Sequence, residues 1–470
     1  MRTAQSDRAG LASQAAALAG GAVTSKEIVS ACLDRIEAAQ PTLNAFRCVR
    51  ADGAIEDAEE CDRRIAAGEE APLLGVPVAI KDDTDLAGET TAFGCAGSFD
   101  AIEEDSEVVL RLREAGAVIV GKTTTSELGQ WPFSEGPGFG VTRNPWDLDH
   151  TPGGSSGGAA AAVAAELVAG AIGSDGAGSV RIPAAWCHLV GIKPQRGRIS
   201  TWPHPEAFRG LTCLGPLTRT VADAALLLDA ARGNREGDLH RPEPPAKSYL
   251  ESASEAPGRL RIALSTAIPF SGAPAKLDPE IRAATERMGG VLEGLGHEVD
   301  EADPSYGMVG ASFMPRSMSG IREWVDRIAD PEVLDPRTRH NAKVGRLLSG
   351  PALAAARALE RPIRSRIGRI FERFDVVLAP TTAKPALPIG AAEGLGNWAT
   401  DRLIVGACPY AWPWNVIGWP GVNIPAGLTD GGLPIGVQLL GPANSEGLLI
   451  SLAAELEAEE RWHECRPPAT

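Results

Sequence analysis

The spacing of apolar residues divides the chain into alternating helical and extended segments. After a short amphipathic segment at Leu11 to Leu18, Thr24 and Glu27 form a capping-box pattern. Ile28, Val29, Cys32, Leu33 and Ile36 then recur at helical spacing as far as Pro41. A polar helix is expected from about Asp52 to Ala67, and LGVPVAIKDD predicts a β-branched strand from about Val76 to Lys81. A helix from Ser106 to Ala115, a strand from Ala117 to Gly121 and a helix near Thr124 to Leu128 continue the alternation. The pattern predicts an α/β fold in which a central mixed, twisted sheet is covered by helices on both faces.

Beyond the helical run VADAALLLDAA, the polar stretch Gly233 to Lys247 is rich in Pro, Glu and Arg and marks a boundary. The chain restarts near Arg259 with strand LRIALS, helix Pro279 to Leu295, strand HEVDEA and two long helical segments reaching about Phe374. DVVLAPT, GVNIPAGL and PIGVQLLG then read as strands that return to the first sheet. Residues 1–247 and 375–470 are therefore expected to form the core, with 248–374 a variable helical and αβ insertion over the active site. There is no internal repeat.

Residues 151 to 186, TPGGSSGGAAAAVAAELVAGAIGSDGAGSVRIPAAW, stand out from this scheme. Two Gly/Ser clusters bracket the nearly continuous apolar run Ala159 to Ile172, which must be buried to be stable. Flexible linkers do not bracket such a run, so both clusters belong inside the core, where glycine serves unusual turns or close approach to a ligand. Composition narrows the chemistry. The 470 residues are 44% hydrophobic with a formal charge of −16, which argues against nucleic acid as a partner. The eight cysteines are scattered without zinc-like spacing and read as reduced thiols of a cytoplasmic protein. The charged N-terminus lacks a signal-peptide core, and no run of about 18 apolar residues predicts a membrane span.

Gly154, Ser156 and Gly158 match a nucleophile elbow, but HTPGG is a poor strand to precede it, and none of the seven histidines stands where a base would be marked. A phosphate loop lacks its lysine. Acyl transfer needs a nucleophile, a base and donors aimed at the developing oxyanion. Lys81, ending the apolar strand PVAIK, can be a base if burial lowers its pKa. Asp82 is expected to face away from the amine, and Asp83 opposes the shift only if the chain has not already turned there. GSDGAGS supplies a tight turn in which the N–H groups of Gly176, Ala177, Gly178 and Ser179 can converge on one oxygen, with Ser179 as nucleophile. Ser155, from the first cluster, is placed as the relay between Lys81 and Ser179.

The segments PVAIKD, GGSSGGAAAAVA, GSDGAGSVRIPA, GIKPQRGRIS and GPLTRTVADAALLLDA, in this order, resemble the amidase signature family. The similarity resumes in APTTAKPALP and PGVNIPAGLTDGGLPIGVQLLG. The separations of Lys81 from Ser155 and of Ser155 from Ser179 are close to the family's. The resemblance implies a Ser-cisSer-Lys triad of Ser179, Ser155 and Lys81, a cis peptide bond at Ser155, and an Asp175–Arg181 pair that supports the turn. It implies hydrolysis of a small-molecule amide through an acyl-enzyme, with no metal or organic cofactor; an ester or carbamate (urethane) suits the same triad chemically, and a monomer or homodimer is expected. Where members often carry D-[IT]-G-G-S, this chain has Asp175-Gly176-Ala177-Gly178-Ser179, so glycine at 176 is expected to leave room beside the oxyanion hole. The difference also argues against the family's amidotransferase subunit, which remains an alternative together with a silent scaffold subunit and a Ser156 esterase. Trp131, Phe133 and Phe139, and Trp412, Trp414 and Trp419, are candidate pocket aromatics that would suit apolar or aryl substrates.

Overall fold

In the computed structural model, which describes residues 9–269 and 275–468, eleven strands form one mixed sheet. The charged N-terminal residues 1–8 lie outside the described residues. The strands are β1 (Phe46–Val49), β2 (Pro77–Lys81), β3 (Val118–Thr123), β6 (Gly170–Asp175), β7 (Val190–Lys193), β8 (Cys213–Thr218), β9 (Arg261–Leu264), β10 (Glu298–Glu301), β11 (Val376–Pro380), β12 (Gly421–Leu428) and β13 (Pro434–Leu440); β4 (Glu135–Gly136) and β5 (Gly140–Val141) form a separate small hairpin. Their order across the sheet is β1-β3-β2-β6-β8-β7-β12-β13-β11-β9-β10. β2 runs parallel to both β3 and β6, whereas β6, β8, β7, β12, β13 and β11 pair antiparallel in succession. Every residue of β2 and β6 is buried, as a central strand covered on both faces requires.

Local chemistry sets the helix boundaries. Glu27 N–H donates to Thr24 Oγ1 at 3.2 Å and Thr24 N–H donates to Glu27 Oε2 at 2.8 Å, closing the capping box of helix Ser25–Leu43. The helix expected near Thr124 to Leu128 is instead one 3-10 turn, Glu127–Gly129. Leu128 takes a positive φ of 50°, and Ser126 Oγ donates to the Trp131 carbonyl at 3.1 Å, a local bond that competes with helix. The two long segments expected before Phe374 are four helices, Val309–Val325, Pro336–Leu347, Pro351–Ala358 and Glu360–Gly368. Proline opens the second and third, where a missing N–H costs nothing.

The boundary at 247 is not a break in the sheet. β9 and β10, from the middle segment, extend it beside β11, so the middle segment is in part core. The C-terminal strands β12 and β13 sit at the centre, between β7 and β11. Among the described residues no helix is long and apolar enough to cross a membrane.

Candidate active site

Two parallel strands end side by side and deliver two polar residues to one point. Lys81 is the last residue of β2, and Ser174 and Asp175 are the last two of β6. The Lys81 side chain is fully buried, with Nζ 2.6 Å from Ser155 Oγ and 2.7 Å from Ser174 Oγ. Burial pushes the Lys81 pKa below its ordinary value, and the carboxylates of Asp83 and Asp175 oppose that shift. Asp82 does face away and pairs with Lys122 Nζ at 3.2 Å. Asp83 does not stay clear of the amine. Although the chain turns after Lys81, the turn swings Asp83 Oδ2 back to 3.3 Å from Lys81 Nζ, and Ser174 Oγ donates to the same carboxylate.

The peptide bond between Gly154 and Ser155 is cis. Ser155 and Ser179 both open onto the large cavity, and Ser156 N–H donates to the Ser179 carbonyl at 3.2 Å, joining the two Gly/Ser clusters directly. Ser179 Oγ has no hydrogen bond to any described residue. Ser156, the elbow alternative, is fully buried and lies outside the cavity lining. Its hydroxyl donates to the Ser174 carbonyl at 3.2 Å and accepts from Ser174 N–H at 3.3 Å, so it is held by the backbone of β6.

The turn after β6 is organised by Asp175. Its carboxylate accepts from the N–H groups of Gly178 at 2.8 Å, Val180 at 3.2 Å and Arg181 at 3.3 Å, and from Arg181 Nε and Nη2, both at 3.0 Å. Burial works against ionisation of Asp175, but the Arg181 guanidinium, Lys193 and the Asn415 amide together outweigh it and hold the carboxyl well below the usual carboxylate range. Arg181 is also fully buried and donates to Gln438 Oε1 of β13 at 2.9 Å and to Asn415 Oδ1 at 2.8 Å. One correction follows for the oxyanion donors. Gly178 N–H is used by Asp175, which leaves the amides of Gly176, Ala177 and Ser179 without hydrogen bonds to described residues. Gly178 is needed for its shape, since its φ is +117° and an added Cβ would lie 2.6 Å from Ala411 Cβ. The room expected at Gly176 is taken by Thr212, whose Oγ1 lies 2.8 Å from where a Cβ would stand.

The cavity has a volume of about 570 Å³, within the range for drug-sized ligands. Of the candidate aromatics, Trp131 and Trp412 line it. Phe133 stacks behind Trp131 with ring centroids 5.6 Å apart, Trp414 lies in the core, and Phe139 and Trp419 are not among the lining residues. Sequence reasoning did not single out Phe93, Trp202, Phe208 or the stripe Met314, Ser317, Met318, Ile321 and Trp324 on helix Val309–Val325, all of which line the cavity. The stripe was readable, because its members fall at helical spacing on one face.

Comparisons agree with this architecture. The model of the Amidase family matches residues 27–450. The chain is 59% identical to AmiA2 of Mycobacterium tuberculosis over 96% of this chain and 93% of that protein. Among solved structures it resembles a 6-aminohexanoate cyclic dimer hydrolase, with TM-score 0.90, 31% identity and coverage of 98% of this chain and 99% of the other. It also resembles a bacterial aryl acylamidase, with TM-score 0.87, 26% identity and 97% coverage of both chains. With a family match over most of its length and the mixed sheet of these enzymes, the chain belongs to the amidase signature family of amide-hydrolysing enzymes.

Proposed function

We propose that the protein hydrolyses small apolar or aryl amides through an acyl-enzyme on Ser179. The observation that carries this reading is the 2.6 Å approach of the buried Lys81 amine to Ser155 Oγ, beside a Ser179 hydroxyl that faces an apolar cavity. Neutral Lys81 takes the proton of Ser155 as Ser155 takes that of Ser179, and Ser179 Oγ attacks the substrate carbonyl. The amides of Gly176, Ala177 and Ser179 receive the oxyanion, where fixed dipoles need no reorganisation. The proton then returns through Ser155 to the leaving amine, and water repeats the sequence on the acyl-enzyme. Asp175 and Arg181 hold the turn rather than touch substrate.

The aromatic and methionine lining supports an apolar substrate. Trp131, Phe93, Phe208 and Trp324 offer flat faces, and Met314 and Met318 adapt to irregular shapes. The two structural relatives named above concern a cyclic amide and aryl acylamides, and the substrate class is carried over on that ground. Aryl esters and carbamates with an apolar amine leaving group form the same acyl-enzyme chemistry and are proposed as side activities. The test is hydrolysis of an acetanilide, the matched aryl acetate and a phenyl carbamate by the wild type and by Ser179→Ala. Turnover of the anilide that vanishes in the variant supports the reading. Failure of the folded wild type to act on any of the three overturns it.

A further inference from the structure

Three oxygens surround Lys81 Nζ: Ser155 Oγ at 2.6 Å, Ser174 Oγ at 2.7 Å and Asp83 Oδ2 at 3.3 Å. A neutral amine has two N–H groups and a lone pair, whereas an ammonium has three N–H groups and no lone pair. The neutral amine can accept the Ser155 hydroxyl proton on its lone pair while its two N–H groups face Ser174 Oγ and Asp83 Oδ2, and once it has taken the nucleophile's proton the ammonium has an oxygen for each of its three N–H groups. Asp83 is built into place. Its side chain is 6% exposed, Ser174 Oγ donates to Oδ2, and Thr84 Oγ1 donates to Oδ1 at 3.3 Å. Charged groups on neighbouring elements are otherwise engaged. Asp175 of β6 is held by Arg181, and Lys122 of β3 pairs with Asp82 on the far side of the strand.

We infer that Asp83 is a positioning residue for the hydrolysis, the counter-ion that Ser174 ties to the Lys81 ammonium formed when Ser179 is deprotonated. This rests on the proposed triad. The proton balance is closed: one proton leaves Ser179 Oγ, one passes from Ser155 Oγ to Lys81 Nζ, and the new positive charge sits against Asp83 while the oxyanion carries the negative one. The carboxylate also makes Lys81 the stronger base, at the cost of keeping it protonated to higher pH. Ser174 and Asp83 are thus a second arm on the lysine, opposite the arm that reaches Ser155.

The experiment is the pH dependence of labelling by a fluorophosphonate, read as adduct on Ser179 by mass spectrometry, which needs no knowledge of the substrate. Without the carboxylate, Lys81 loses its proton at lower pH. In Asp83→Asn the acid limb of the labelling rate is expected to move down by about one pH unit or more, while the plateau rate falls roughly tenfold because the base is weaker. Asp83→Glu, which keeps the charge, is expected to return the limb towards the wild-type position. A purely structural role lowers the rate and leaves the limb in place. Asp83→Ser, also uncharged, makes the same test should Asp83→Asn fail to fold. A limb that stays put or moves up in the folded uncharged variant overturns the inference. Absence of any Ser179 adduct on the folded wild type overturns the triad itself, so the two failures are distinct.

Discussion

Replacing Arg181 with Met removes the charge that balances Asp175 and keeps most of the side-chain volume. Both residues are fully buried, and the guanidinium makes two 3.0 Å bonds to the carboxylate. At that distance the attraction is about 5 kcal/mol in an effective dielectric of about 20. Breaking a buried pair from one side costs roughly 3–5 kcal/mol, because the other charge is stranded. Asp175 keeps the amides of Gly178 and Val180 and the Asn415 Nδ2 donor at 2.8 Å, so the lower end of that range, about 3 kcal/mol, is expected. Urea unfolding at pH 7 measures the loss, and Ser179 labelling below the transition measures how far the turn has moved. The pH dependence supplies a second check. A carboxyl held below its unfolded value stabilises the fold above about pH 4, and that contribution disappears as pH falls through its lower folded value. The gap between wild type and Arg181→Met should therefore narrow on acidification. Adding Asp175→Asn should recover part of the loss. A variant within about 1 kcal/mol of wild type at pH 7, with unchanged labelling, would refute the assignment of the pair as the support of the turn.

Three further changes probe other parts of the molecule. Gly178→Ala forces a Cβ onto Ala411 and a non-glycine residue to φ +117°; a stability loss of about 1–3 kcal/mol and slower Ser179 labelling are expected in denaturant and labelling assays. Gly176→Ala should slow labelling because its Cβ meets Thr212 Oγ1, and adding Thr212→Ala should restore much of the rate, since Thr212 Cβ is 3.9 Å from the new carbon; independent effects in this double-mutant cycle would contradict the contact. Glu127 is fully buried, and burial pushes its pKa up to about 7. The folded protein then binds a proton there that the unfolded chain has already released, so wild-type stability falls as pH rises from about 4.3 to about 7. Thermal unfolding at pH 5 and pH 8 should show a smaller fall in Glu127→Gln.

The parts of the site that could be read from the sequence are those where one backbone requirement meets one chemical role within a few residues. PVAIK announces a buried strand with a lysine at its end, and GSDGAGS announces a turn with a serine at its end. What escaped depends on how a turn bends or on elements far apart in the chain. Asp83 comes back to Lys81 through a turn whose direction is invisible in the residues themselves. Trp131 and Phe133 look equivalent in sequence, yet only the Trp131 ring lines the cavity, with Phe133 stacked behind it. Asn415 and Gln438 reach the turn after β6 from more than 230 residues away. β9 and β10 are legible as strands, but β11, through which β9 joins the rest of the sheet, follows β9 by more than 110 residues.

In the proposed mechanism Ser179 is the nucleophile and Lys81 its base. Treating the purified protein with a fluorophosphonate and locating the adduct by mass spectrometry tests it without a known substrate. An adduct on Ser179 that is lost in Lys81→Ala is expected. An adduct on Ser156, or none on a demonstrably folded protein, would contradict the mechanism.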